Sequence, residues 1–471
     1  MFSFPNSPVF YRDLDRAYSE VVRGEGIFLY DRSGKQYIDG SGGALVVNIG
    51  HGRTEVAEAM SRQASQVAYT HGTHFTTEVL ERLSATLANL LPGDLDKVYL
   101  VQGGAEAVET SIKLARQYQL ALGRPDKHKI VGRWPSFHGN TLGALAVSGR
   151  ASLREPYEPM LADFPRVPAP YCYRCPFGEI PSISAAGTPP PRLLAPRLGS
   201  ASRYARAEGS CAECGVKCAD ALEQLLDRDT AVAAFIAEPV IGAAGGACVP
   251  PPEYFPRVRE ICDRHGILLI ADEVMTGFGR TGRYFGMEHF GVQPDVVVMG
   301  KGLSSGYIPA GAIAVRTSLI EAVRERFGNF THGYTFSHHP VVAAACEAVV
   351  SILEREQLPE RAWSKGAYFS ERLRELEQSP LVGDVRAIGL LAGIELVADR
   401  KTKAPFPRSR RLVEEVAEKA FAKGLIVYRS TGCADGIDGD LVMLAPPLII
   451  EEEQIDALTS VLGETLSEVR P

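Results

Sequence analysis

The sequence predicts an α/β protein with a large, mainly parallel sheet domain wrapped by helices and a smaller α+β domain after it. Three observations carry this expectation. Short apolar runs alternate with helical patterns through the middle of the chain, and near residue 340 the pattern changes to long charged helices with shorter strands. The length of 471 residues also exceeds the roughly 250–300 at which a single hydrophobic core stops growing.

In chain order, VYLVQGG (98–104) reads as a strand running into glycines, and EAVETSIKLARQYQLAL (106–122) as a helix with apolar residues three and four apart. AVAAFIAEPV, ILLIADEV and DVVVMG are continuous apolar runs, as expected of strands covered on both faces. Between them YFPRVREICDRHG is helical and closes at Gly266, a helix-ending residue. SKGAYFSERLRELEQ and SRRLVEEVAEKAFAKG supply the charged helices of the C-terminal part. Residues 165–210, rich in Pro, Ala, Arg and Ser, break the alternation and read as a partly disordered surface insertion.

A hydrophobic fraction of 45%, a charged fraction of 23% and a net charge of −7 fit a soluble globular enzyme and argue against a nucleic-acid partner. No cationic stretch leads into an apolar run at the N-terminus, and no apolar stretch is long enough to span a bilayer, so a cytoplasmic protein without membrane contact is expected. Four of the nine cysteines (Cys248, Cys262, Cys346, Cys433) are scattered, as reduced core thiols are. The other five form Cys172-x-x-Cys175 and Cys211-x-x-Cys214-x-x-x-Cys218 around the insertion. That spacing is known from structural zinc sites, and Cys172, Cys175, Cys214 and Cys218 could supply four thiolates; the sequence leaves the metal open.

Two motifs invite other functions. Gly277-Phe-Gly279-Arg-Thr-Gly282 has dinucleotide-loop spacing, but the chain beyond it is broken by Gly286, Gly291 and Pro294 instead of opening a helix. Gly302-Leu-Ser304-Ser-Gly306 matches the nucleophile elbow of serine hydrolases. The last histidine of the chain is His339, so acid and base would have to crowd into the few residues after the serine, and Pro309 interrupts the helix that should follow.

A third constellation is more coherent. Lys301 follows the run Asp295-Val-Val-Val-Met-Gly, at the carboxyl end of a strand buried on both faces, where desolvation lowers an amine's pKa toward nucleophilic use. The plain alternative is a lysine whose stem covers the sheet edge. Asp272 ends the neighbouring run Ile267-Leu-Leu-Ile-Ala, one strand–helix–strand length earlier. A buried carboxylate there needs a cation, either a cofactor pyridinium or Arg280 or Arg283. Gly103-Gly104-Ala105-Glu106 joins a strand to a helix and offers backbone N–H groups to a phosphate, or is a simple helix cap. Phe137 could supply an aromatic face, or is core.

Taken together, GGAEAVETSIKLAR, SFHGNTLG, AEPVIGAAGG, LLIADEVMTGFGRTG, PDVVVMGKGLSSGYIPAGAI and HGYTFSHHP resemble the class III pyridoxal-phosphate aminotransferases, of ω-aminotransferase type and aspartate-aminotransferase fold type I, over nearly the whole chain. The resemblance implies a seven-stranded-type sheet domain over 61–339, containing the Pro/Cys-rich insertion of about 165–220. Around it lie a small domain at 340–471 and an N-terminal segment, 1–60, that joins the small domain. It implies pyridoxal 5′-phosphate as cofactor, with Lys301 as the lysine that carries it and moves the Cα proton, and Asp272 as the partner of the pyridine nitrogen. Val274 and Phe137 match the residues on the two ring faces, and Gly104 and Ala105 the phosphate cup. Thr335 resembles the phosphate-binding threonine supplied across a homodimer (or dimer-of-dimers) interface, and Glu238 the substrate-side glutamate that can pair with a gating arginine. Amino transfer from an amine or ω-amino acid to a 2-oxo acid such as pyruvate, with ping-pong kinetics, is the implied activity. The same scaffold also serves aminomutases, racemases and decarboxylating transaminases.

The chain departs from the family pattern in several places. The phosphate cup lacks the usual hydroxyl residue, and Gly42-Gly43-Ala44 stands where many members place a bulky aromatic, which predicts a roomier substrate pocket with Gly43 on its wall. Ile241 and Met275 replace the glutamines of ornithine- and GABA-type members. Arg429 is the candidate for the arginine that binds the oxo acid carboxylate.

Overall fold

The computed structural model describes residues 2–175, 177 and 216–470. Among these residues the strands form three sheets. The N-terminal part supplies β1 (Val21–Glu25), β2 (Phe28–Asp31) and β3 (Gln36–Asp39). The middle supplies β4 (Lys97–Val101), β5 (Lys129–Trp134), β6 (Arg166–Pro168), β7 (Val232–Ala237), β8 (Leu268–Asp272), β9 (Val296–Met299) and β10 (Gly311–Val315). The C-terminal part supplies β11 (Val382–Ile388), β12 (Leu391–Leu396), β13 (Leu425–Ile426), β14 (Tyr428–Thr431) and β15 (Asp440–Leu444).

The middle strands make one seven-stranded sheet in the order β4-β10-β9-β8-β7-β5-β6. Only β10 runs antiparallel to its neighbours. Period-two alternation splits the side chains of β7, β8, β9 and β10 between two apolar layers. Leu269, Ala271, Val297 and Met299 enter one layer, while Leu268, Ile270, Val296 and Val298 enter the other. Every residue of these four strands is buried, which is why their sequences read as unbroken apolar runs. The helix Gly104–Ala121 lies in the second layer, burying Val108, Leu114 and Ala115.

The two smaller sheets draw on both ends of the chain. In one, β3 pairs in parallel with β13 through Ile38 and Leu425. The other is β11-β12-β15-β14. The helix Tyr254–His265 ends at Gly266 in the left-handed conformation (φ 59°), as the sequence predicts.

Two expectations need correction. The segment 165–175 is not surface insertion: β6 joins the sheet, and Tyr171, Arg174 and Cys175 are buried. Residues 178–215, with Cys211 and Cys214, lie outside the described residues. The connection from β8 to β9 contains no α-helix; a glycine-rich turn and the short 3-10 helix Gly286–Phe290 fill it. Among the described residues no helix is long and apolar enough to cross a membrane, and no group of three or more His, Cys, Asp or Glu side chains is placed to hold a metal.

Candidate active site

Asp272 is the last residue of β8, aligned with Val298 of β9, and Lys301 follows the end of β9 by two residues. Both therefore stand at the carboxyl ends of adjacent parallel strands, the edge where open α/β sheets bind ligands. Asp272 is 4% exposed. Its Oδ1 accepts from the Val274 N–H at 3.1 Å, and its Oδ2 lies 2.6 Å from His138 Nδ1, which donates to the ionised carboxylate. The carboxylate is thus held by His138 and not by Arg280 or Arg283. His138 is buried, and its Nε2 has no partner.

Lys301 has a left-handed backbone (φ 40°), a conformation uncommon for a residue with a Cβ. Among the described residues its amine has no hydrogen-bond or ion-pair partner. Burial disfavours its charged form and lowers its pKa; Asp272 and Glu238 pull the other way, and Arg280 adds to the lowering.

Close backbone approach shapes a cradle beside the lysine. A Cβ on Gly104 would sit 2.8 Å from Val274 Cγ1, and one on Gly300 would sit 3.3 Å from both Gly104 Cα and Val274 Cγ1. A Cβ on Gly139 would lie 2.7 Å from Ala105 Cβ. The helix N-terminus at Gly104, the Phe137–Gly139 turn, Val274 and the Lys301 strand end are thereby packed together. Glycine is required because any side chain would fill the space. The N–H groups at the start of the helix could serve an anion, so the backbone there fits a phosphate despite the missing hydroxyl. This donor set fits a phosphorylated pyridine: N–H groups for phosphate, Asp272 for a ring nitrogen, Val274 and Phe137 for the faces, and an unpartnered amine for an aldehyde.

Glu238 is 5% exposed. Its Oε1 accepts from the Phe137 N–H at 2.9 Å and its Oε2 from the Gly242 N–H at 2.7 Å, while burial raises its pKa. It forms no pair with a gating arginine in this conformation. Arg429 lies on β14 and reaches Asp13 at 3.5 Å. Its neighbour Tyr428 packs instead on the apolar cluster of Leu45, Val240, Met275 and Met443, so strand alternation turns Arg429 to the opposite face. Gly43 faces open space, with nothing within 4 Å of a Cβ placed on it. Leu45, two residues on, is buried in that same apolar cluster. Thr335 is exposed, its carbonyl accepting from Tyr69 Oη at 2.8 Å. Ser304 is no elbow nucleophile: its hydroxyl donates to the Ile308 carbonyl at 2.6 Å, and it is 2% exposed.

The family described as aminotransferase class-III matches residues 10–466. The chain belongs to the class-III aminotransferases. It is 38% identical over 458 residues to the uncharacterized aminotransferase YodT of Bacillus subtilis, covering 97% of each chain. It is 34% identical to the putrescine–pyruvate aminotransferase of Pseudomonas aeruginosa, covering 97% of this chain and 92% of that protein. An (S)-enantioselective omega-transaminase from Thermomicrobium roseum superposes with a TM-score of 0.84 at 37% identity, over 96% of this chain and 93% of that one. This aminotransferase accordingly has the fold of the pyridoxal-phosphate-dependent transaminases, fold type I.

Of the residues expected in the site, the fold brings together Lys301, Asp272, Val274, Gly104, Ala105, Phe137 and Glu238. His138 was legible in Ser136-Phe-His-Gly139 only as a neighbour of the aromatic. A lone histidine carries no periodicity, and its contact with Asp272 spans 134 residues.

Proposed function

We propose that this aminotransferase binds pyridoxal 5′-phosphate and transfers an amino group from an amine or ω-amino acid to a 2-oxo acid such as pyruvate, in two half-reactions. The observation that carries the reading is the unpartnered Lys301 amine at the strand edge it shares with Asp272, beside the Gly104 cradle. The putrescine–pyruvate relative and the omega-transaminase neighbours support an amine donor, and a neighbouring omega transaminase from Pseudomonas jessenii is known with pyridoxamine phosphate bound. Bound pyridoxal phosphate supplies an electron sink for negative charge at the substrate Cα. Asp272, oriented by His138, holds a proton on the ring nitrogen. The amides of Gly104 and Ala105 hold the phosphate, and Val274 and Phe137 fix the ring plane. Lys301, whose pKa burial lowers, would move the proton from the substrate Cα to the C4′ carbon of the cofactor, and back in the second half-reaction. The open space at Gly43 favours an extended donor chain. We read the enzyme as a homodimer, with Thr335 completing the partner's phosphate site, and Arg429 as the carboxylate arginine once it leaves Asp13 and swings back from the opposite face of β14.

The test is alanine formation from pyruvate with a donor panel of L-alanine analogues, β-alanine, putrescine and longer amines. The reading expects rates that hold or rise as the donor lengthens. Rates falling steadily with chain length would reject the open pocket, and no product from any donor would reject the activity. For Arg429→Ala, the apparent KM for the oxo acid should rise far more than that for an uncharged amine.

A further inference from the structure

The two glycine motifs left without a role, Gly277–Gly282 and Gly302–Gly306, face each other across one seam. Residues 46–53 fill it. A Cβ on Gly302 would sit 2.5 Å from Asn48 Nδ2 and 2.9 Å from Phe278 Cβ, and one on Gly306 would sit 3.3 Å from Val46 Cγ1. Ser305 Oγ accepts from the Ile49 N–H at 3.0 Å, and Tyr307 Oη accepts from the Arg53 N–H at 2.7 Å. The Asn48 side chain links the two motifs, since Nδ2 donates to the Phe278 carbonyl at 2.8 Å and Oδ1 accepts from Arg280 Nη2 at 2.8 Å.

Arg280 sits at the centre and is fully buried. Its Nη1 donates to the carbonyls of Leu390 (3.0 Å) and Pro446 (2.6 Å), at the β11–β12 turn and after β15. Its own carbonyl accepts from the Leu390 N–H at 3.1 Å. One guanidinium thus ties the glycine turn to the N-terminal segment and to one end of the C-terminal sheet, where β12 begins beside the end of β15, and among the described residues it meets no carboxylate at hydrogen-bond distance. Such a buried charge with neutral partners is costly and therefore informative.

We propose that Arg280 is a positioning residue for Lys301: it fixes Asn48 against Gly302, holding the lysine's left-handed backbone, and its positive charge acts on the amine. The inference rests on the reading of Lys301 as the cofactor lysine. The groups acting on that amine are Asp272 from β8, Glu238 from the end of β7, and Arg280 from the glycine turn; the first two favour the ammonium and Arg280 opposes it. Arg280 in turn feels Asp39, which is bonded to His51 at 2.9 Å. Removing the Arg280 charge therefore raises the proton affinity of Lys301.

The experiment titrates the visible cofactor band of the holoenzyme with pH for the wild type and for Arg280→Lys, Arg280→Gln and Asn48→Asp, with melting temperature read alongside. Arg280→Lys keeps the charge but not the fork, so its midpoint should stay with the wild type while its melting temperature falls. Arg280→Gln should move the midpoint upward by about one pH unit. Its kcat near neutrality should fall and recover as the pH rises. If Arg280→Gln does not fold, Asn48→Asp, which neutralises the arginine in place, should show the same upward shift. Arg280→Gln or Asn48→Asp titrating with the wild type would overturn the proposal alone. A wild type that forms no cofactor band would overturn it together with the assignment of Lys301.

Discussion

At the scale of the residue, the site rests on charges kept in place by groups that do not touch substrate. Asp272 is held in place under burial because His138 and the Val274 N–H both donate to it. His138→Leu should cost roughly 1.5–3 kcal/mol of that support. Cofactor affinity, measured by fluorescence titration, should fall about tenfold or more. An unchanged affinity would show that His138 serves only packing. Lys301 and Asp272 were legible in the sequence because each ends a strand whose unbroken apolar run marks it as buried. His138 and Arg280 were not, since their roles depend on contacts between segments distant in the chain. Glu238 lies against the Phe137 turn, where backbone N–H groups occupy both of its oxygens.

At the scale of the element, glycines decide how closely strands, turns and helices approach. Gly104→Ala puts a methyl against Val274, and Gly302→Ala puts one against Asn48. Each should destabilise the protein by about 1–3 kcal/mol, read from denaturant unfolding. Gly104→Ala should also weaken cofactor binding. The turn after Gly279 carries a second consequence. His289 is half-buried against the Thr281 carbonyl at 3.1 Å, and desolvation depresses its pKa to about 4; His332 is depressed to about 4 in the same way. Between the ordinary value of 6.5 and about 4, the unfolded chain binds protons that the folded chain refuses, so these residues withdraw stability as the pH falls through that window. Replacing both by Gln should flatten the decline in melting temperature over that interval; an identical slope would reject this origin. Strand positions were readable from the apolar runs. The missing helix between β8 and β9 was not, because a glycine turn and a 3-10 helix span the same length.

At the scale of the whole molecule, the account requires both ends of the chain to close over the sheet edge. One tie is buried and ionic: Glu395 accepts from Arg174 at 2.5 Å, from Arg386 at 2.9 Å and from Tyr171, and Arg386 also donates to the Gly245 and Gly246 carbonyls. Tyr171 and Arg174 come from the stretch read as surface insertion, whose composition conceals its buried start. Glu395→Ala would strand the Arg174 guanidinium in the core while Arg386 keeps Asp384, and a loss of about 3–5 kcal/mol is expected, read as a lowered unfolding midpoint. The alternation of strands and helices predicted the large sheet, but composition could not show β3 pairing with β13 across the length of the chain. The central claim is that Lys301 carries the cofactor of an amino-transfer cycle run at this edge. Its most direct test is the absorption spectrum of the wild type and of Lys301→Ala with added pyridoxal phosphate, recorded before and after an amine donor and again after pyruvate. The account predicts a visible band in the wild type that bleaches with the donor and returns with pyruvate, and none of this cycle in Lys301→Ala. A band that forms and cycles equally in the variant would contradict it.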